Sequence, residues 1–108
     1  MKIVLTTLAL AFATLCAPSL VYGQSTSAQV LYVRSLAATC ANCHGTDGRA
    51  VQGSSVVSIA GLDRNYLVTQ MQAFKTGARP ATVMHQISKG YSDAQIDVLA
   101  GYFAAQKK

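Results

Sequence analysis

Cys40-Ala41-Asn42-Cys43-His44, followed at once by Gly45, sets two thiols and an imidazole within five residues. That spacing is the one that attaches a c-type haem covalently. Each thiol adds across one vinyl group of the porphyrin, and the two intervening residues set the span so that both sulfurs reach from one short helical turn. The histidine follows directly, so its ring is carried under the macrocycle, where an imidazole nitrogen ligates iron. Cys40 and Cys43 are therefore the expected thioether residues and His44 the expected proximal ligand. The remainder of the chain has to supply a second ligand and an apolar wall.

Other readings of a close cysteine pair compete with this one. A plain disulfide is common in oxidising compartments. A thioredoxin-like dithiol needs a buried strand before it in an alternating strand and helix pattern, and no such pattern is visible. Zinc needs two further ligands, and His85 is the only other histidine of the 108 residues. A histidine immediately after the second cysteine favours haem over all three.

The N-terminus bears on the same question, because haem is attached outside the cytoplasm. Lys2 gives a short positive start, and residues 3–15 form a nearly unbroken apolar run of thirteen. A bilayer span needs roughly 20. Pro18 breaks the segment, and Val21-Tyr22-Gly23 suits a signal peptidase. Residues 1–23 thus read as a cleaved export signal, cut before Gln24, with residues 24–108 as one periplasmic domain that has no stable membrane insertion. An uncleaved anchor is the rival reading. Lipidation at Cys16 is disfavoured by Leu15, where a small residue is expected.

The whole chain carries a formal charge of +5 from nine Lys or Arg and four acids. Without the signal, eight cations face Asp47, Asp63, Asp93 and Asp97. They are dispersed, with no run longer than Lys107-Lys108. Nucleic-acid binding, which needs a concentrated basic patch or stripe, is not indicated.

Taken in order, residues 24–27 are polar and loose, with Ser25 or Ser27 as a cap for a helix over 28–39. Leu31 or Tyr32, then Leu36, then Cys40 mark its inner face, so this helix delivers Cys40 to the porphyrin edge. Residues 46–55 are rich in turn formers and read as a surface loop. Val56, Val57, Ile59 and Leu62 then return toward the core, and a backbone carbonyl near Val57 is the candidate acceptor for the free nitrogen of His44. Asp63 starts a helix with Tyr66, Leu67, Gln70, Met71 and Phe74 on one face, ended by Lys75-Thr76-Gly77.

Pro80 suits the first turn of a further helix running to Lys89 and holding Met84. A thioether sulfur is a soft ligand that raises the reduction potential and leaves no open iron position, so Met84 is the expected distal ligand. Met71 is the competing methionine, already explained by core packing. His85 would give bis-histidine ligation. Neighbours on a helix point about 100° apart, so it cannot face iron together with Met84, and it reads as a surface residue. Ser92-Asp93-Ala94-Gln95 forms a capping box. Ile96, Leu99, Ala100 and Phe103 then make an apolar stripe that packs across the first helix, with Ala37, Ala38, Ala100 and Gly101 small enough for a close crossing.

No stretch alternates as a strand. Three to four helices account for the domain, so the expected fold is all-α. A chain this short builds little core of its own, so haem is expected to form the centre of the interior and the apoprotein to be largely unfolded.

Cys40-Ala41-Asn42-Cys43-His44-Gly45-Thr46, Ser58-Ile59-Ala60-Gly61, Phe74-Lys75-Thr76-Gly77, Thr82-Val83-Met84 and Lys89-Gly90-Tyr91-Ser92 together resemble class I cytochromes c. In detail they are similar to the monohaem cytochrome subunit of flavocytochrome c sulfide dehydrogenase. The resemblance implies the small cytochrome c fold, one covalent haem c, and His44 and Met84 as iron ligands. It also implies a non-catalytic electron carrier whose partner is an FAD flavoprotein that oxidises sulfide. The alternative is a free, diffusible carrier that shuttles electrons to a terminal oxidase or other reductase. An apolar face around the haem edge would favour the first, a ring of lysines the second.

Overall fold

The computed structural model describes residues 19–108, with side chains from Thr26 onward. The signal reading of residues 1–23, Cys16 included, therefore falls largely outside the described residues. Helix α1 is described over Ser19–Ala38, the single turn α2 over Ala41–His44, α3 over Arg64–Thr76, α4 over Met84–Lys89 and α5 over Asp93–Ala104, with a 3₁₀ turn at Thr46–Gly48. No strand occurs among the described residues, in keeping with the all-α expectation. Nor is any described helix long and apolar enough to cross a membrane.

Two helix starts differ from the sequence reading. α1 runs unbroken through residues 24–27, so Ser25 and Ser27 lie inside it and do not cap it. Gly23 alone costs a helix only about 1 kcal/mol, and no proline interrupts the segment. The inner face is also shifted. Leu31 is 67% exposed, whereas Val33 and Leu36 are half-buried and Ala37 is buried. Leu31 and Leu36 are five residues apart, about 140° around the helix, so they cannot share the stripe that ends at Cys40.

The second difference is α4. It begins at Met84, with Val83 as its N-cap, and residues 80–83 are non-helical. Thr82 and Val83 are adjacent β-branched residues, which resist the helical conformation. Arg79 N–H already reaches back to the Ala73 carbonyl at 3.0 Å, closing the end of α3. Pro80 therefore leaves that turn as irregular chain and does not open a helix.

α3 and α5 follow the sequence reading closely. The Asp63 side chain accepts from Tyr66 N–H at 2.9 Å, and Gly77 ends α3 in the left-handed region at φ 81°. Both halves of the Ser92/Gln95 capping box are present, at 3.2 Å and 2.9 Å. Ile96, Leu99, Ala100 and Phe103 are all buried. α5 packs on α1 and on α3. Of the four small residues proposed for a close crossing, Ala37 and Ala100 are in the core, Ala38 is exposed, and Gly101 faces the Arg64 side chain of α3.

The core joins Ala37, Leu67, Leu99, Ala100 and Phe103, with Leu36, Ile59, Leu62, Val68 and Tyr91 packed around them. It is not closed. Leu67, Leu99, Ala100 and Phe103 also border a large cleft, so the interior of the fold opens directly into it.

Candidate cofactor site

The cleft has a volume of about 1040 Å³ and is lined mainly by apolar groups. That is at the upper end of the roughly 300–1,000 Å³ typical of small-molecule and cofactor sites. Cys40, Cys43 and His44 border it on one side. One turn of helix brings them there: His44 N–H bonds the Cys40 carbonyl at 2.9 Å and Gly45 N–H the Ala41 carbonyl at 3.0 Å. Both thiols are free, and Cys40 is the more buried. Burial pushes its pKa up, the hydroxyl of Thr39 opposes this, and the neighbouring Cys43 adds to the rise.

Gly45 is required where it stands. Its φ of +80° lies in the region that favours glycine, and a Cβ there would sit 1.9 Å from the Arg49 carbonyl oxygen. The sharp exit it allows turns the chain into Thr46–Gly48 and sends the following loop back across the histidine. There His44 Nδ1 meets the Val57 carbonyl oxygen at 2.7 Å, the contact expected from the sequence. A carbonyl can only accept, so Nδ1 carries the proton and the lone pair remains on Nε2, the nitrogen free for a metal.

α3 supplies a long wall of the cleft. All five residues of its sequence-predicted face, Tyr66, Leu67, Gln70, Met71 and Phe74, border it. Pro80, Ala81, Thr82, Val83, Met84 and Ile87 also line it. Both candidate methionines are therefore present, and their surroundings differ. The Met71 sulfur accepts the hydroxyl of Ser88, which is fully buried, at 3.6 Å. No such partner is seen for the half-buried Met84 at the first position of α4. His85 does not border the cleft. It is half-buried, not the surface residue expected, and its Nδ1 is buried without a hydrogen-bond partner.

Three contributors have no role assigned to them by the sequence. Arg79 is the one Lys or Arg bordering the cleft, and its guanidinium lies 4.6 Å over the Phe74 ring. A cation just past the glycine that ends α3 was the available signal. Tyr91 is pinned from two sides. Its carbonyl accepts from Lys75 Nζ at 2.8 Å, and its hydroxyl lies 2.7 Å from Thr39 Oγ1. Thr39 gives its own proton to the Leu36 carbonyl at 2.7 Å, so the tyrosine donates. Ser58 bonds the Gly48 carbonyl at 2.8 Å. Neither contact leaves a mark in sequence spacing.

These features fit a porphyrin. Two thiols and an imidazole share one short turn, the imidazole has its proton fixed on the far nitrogen, two thioethers line the cleft, and the walls are apolar. No family model matches the chain. Curated relatives do. The cytochrome subunit of sulfide dehydrogenase from Chlorobaculum tepidum is 41% identical over 73 residues, covering 68% of this chain and 64% of that protein. The chain thus spans a little under two thirds of that relative's length. Cytochrome c-554(548) of Halomonas halodenitrificans is 34% identical over 74 residues, covering 64% of this chain and 86% of that one. Among solved structures, cytochrome c4 of Acidithiobacillus ferrooxidans superposes with a TM-score of 0.57 at 33% identity, over 61% of this chain and 37% of that chain.

Proposed function

We propose that this chain, which belongs to the cytochrome c family, is the monohaem subunit that takes single electrons from a sulfide-oxidising flavoprotein in the periplasm. The family's cofactor is haem c, covalently bound and iron-bearing, and the relatives are electron-transfer proteins. In the proposed arrangement Cys40 and Cys43 hold the porphyrin as thioethers, and His44 and Met84 are the iron ligands. When bound, haem supplies a one-electron couple at iron, with sulfur ligation favouring the reduced state. The chain's residues close the coordination sphere, keep His44 oriented through Val57, and wall the site with apolar groups. Arg79, the one Lys or Arg bordering the cleft, would offset part of the charge of the porphyrin carboxylates. Residues 1–23 serve as the export signal, and mass analysis of the exported protein is expected to place its N-terminus at Gln24.

The observation that carries this reading is the single cleft bordered by Cys40, Cys43, His44 and Met84, with His44 Nδ1 on the Val57 carbonyl. The flavoprotein partner draws support from the relative in Chlorobaculum tepidum and from the border of the cleft, where Arg79 is the one Lys or Arg. A border poor in lysine suits a stable subunit contact better than the salt-sensitive encounters of a shuttle. Purification from the periplasm of the native host tests this. An FAD protein is expected to copurify and to reduce the haem when sulfide is added; recovery of the cytochrome alone, free of flavin, contradicts the subunit role and favours the diffusible carrier.

A further inference from the structure

We propose that Ser58 is a positioning residue for the axial histidine: its hydroxyl, acting through the Gly48 carbonyl, aims the Val57 carbonyl at His44 Nδ1. The inference rests on His44 being an iron ligand. The acceptor that orients His44 belongs to Val57, at the border of the cleft, and the peptide plane between residues 57 and 58 carries it. Ser58 lies on the other side of that plane.

Ser58 Oγ donates to the Gly48 carbonyl at 2.8 Å, and Ile59 N–H and Ala60 N–H reach the same oxygen at 2.8 Å and 3.1 Å. Three donors thus converge on one acceptor. The two backbone donors hold the returning loop, and the hydroxyl adds the constraint nearest to the Val57 carbonyl. Gly48 is a firm anchor. It is buried with φ +80°, and a Cβ there would lie 2.7 Å from Ile59 Cγ1 and 2.8 Å from Phe103 Cδ1. Its own N–H bonds the Gly45 carbonyl at 2.9 Å, one residue from the histidine. A closed circuit results, from His44 through Gly45, Gly48, Ser58 and Val57 back to His44. Removing the hydroxyl leaves both backbone bonds in place and frees mainly the rotation of the plane that carries the acceptor.

A histidine whose Nδ1–H is held gives a more basic Nε2 and a fixed ring. Ser58 is thereby linked to the electronic character of the ligand. The test compares wild type, Ser58→Ala and Ser58→Thr as haem-loaded proteins. It reads the exchange rate of the His44 Nδ1 proton by NMR in the reduced state, together with the reduction potential and the thermal midpoint. In Ser58→Ala the proton is expected to exchange about two- to tenfold faster, the worth of one ordinary hydrogen bond. The potential is expected to move upward, because a less basic imidazole stabilises ferric iron less. Ser58→Thr, which keeps the hydroxyl, should return both toward wild type. Exchange and potential unchanged in Ser58→Ala, even with a lowered thermal midpoint, would show a merely structural serine and overturn the inference. Equal changes in Ser58→Thr would overturn it too. A wild-type protein with no protected Nδ1 proton would instead refute the ligand role of His44, a separate failure.

Discussion

An imidazole that gives its one proton to a backbone carbonyl has a single lone pair left to offer, and at His44 the carbonyl is 2.7 Å away. The methionines differ in their partners: Met71 sulfur accepts from the fully buried Ser88 hydroxyl, which ties it to the packing of α3 on α4, and no such contact is seen for Met84. Arg79→Gln removes the one cation bordering the cleft and is expected to lower the reduction potential. The fall should not exceed about 40 mV, since an exposed ion pair contributes up to about 1 kcal/mol. Potentiometric titration of the variant beside wild type measures it.

At the scale of elements, α5 is tied at both ends. Ser92→Ala removes the capping hydroxyl that bonds Gln95 N–H, and it should cost about 1 kcal/mol of stability in denaturant titration. Near its C-terminus, Tyr102 donates to Asp47 at 2.6 Å, joining α5 to the 3₁₀ turn that follows the haem motif. That hydrogen bond to Asp47 is the main reason the Tyr102 hydroxyl titrates above its ordinary value of about 10. A raised folded value means the added stability is complete below the pKa of the unfolded chain and is lost as pH rises through the higher folded one. Alkaline unfolding profiles should therefore show a loss above about pH 10 that is absent in Tyr102→Phe.

The elements differ in how far their sequence announces them. α3 and α5 carry their own start signals in Asp63 and Ser92 and a regular stripe, so their limits and inner faces are legible. α4 is not, because Pro80 is compatible with either a helix start or extended chain, and the choice is made by Arg79 closing back on Ala73. The inner face of α1 is ambiguous for another reason. Val30, Leu31, Tyr32 and Val33 are consecutive apolar residues, and only the position of Cys40 in the fold selects Val33. Within the site, the two thiols and His44 are visible from residue type and spacing, while Met84, which borders the same cleft, is singled out only by the segment around it. The Val57 carbonyl could be anticipated only from its place in the returning loop, while the Ser58 and Tyr91 contacts are purely tertiary.

Across the whole molecule, the core is a thin layer whose inner surface faces a cleft of about 1040 Å³. Leu67, Leu99, Ala100 and Phe103 have apolar neighbours on one side and the cofactor site on the other. Folding and cofactor attachment are therefore coupled. The variant with both Cys40→Ser and Cys43→Ser, which cannot form thioethers, is expected to lose most of its helical circular dichroism. A native-like helical spectrum from it would show that the polypeptide holds the fold unaided. Met71 and Met84 both border that cleft, and one of them can complete the coordination of an iron held by His44. The decisive measurement is the weak far-red absorption band of sulfur-ligated ferric haem, recorded for wild type, Met84→Ala and Met71→Ala. The band is expected in wild type and Met71→Ala and absent in Met84→Ala; its persistence in Met84→Ala, or its loss only in Met71→Ala, would contradict ligation by Met84 and the closed coordination sphere built on it.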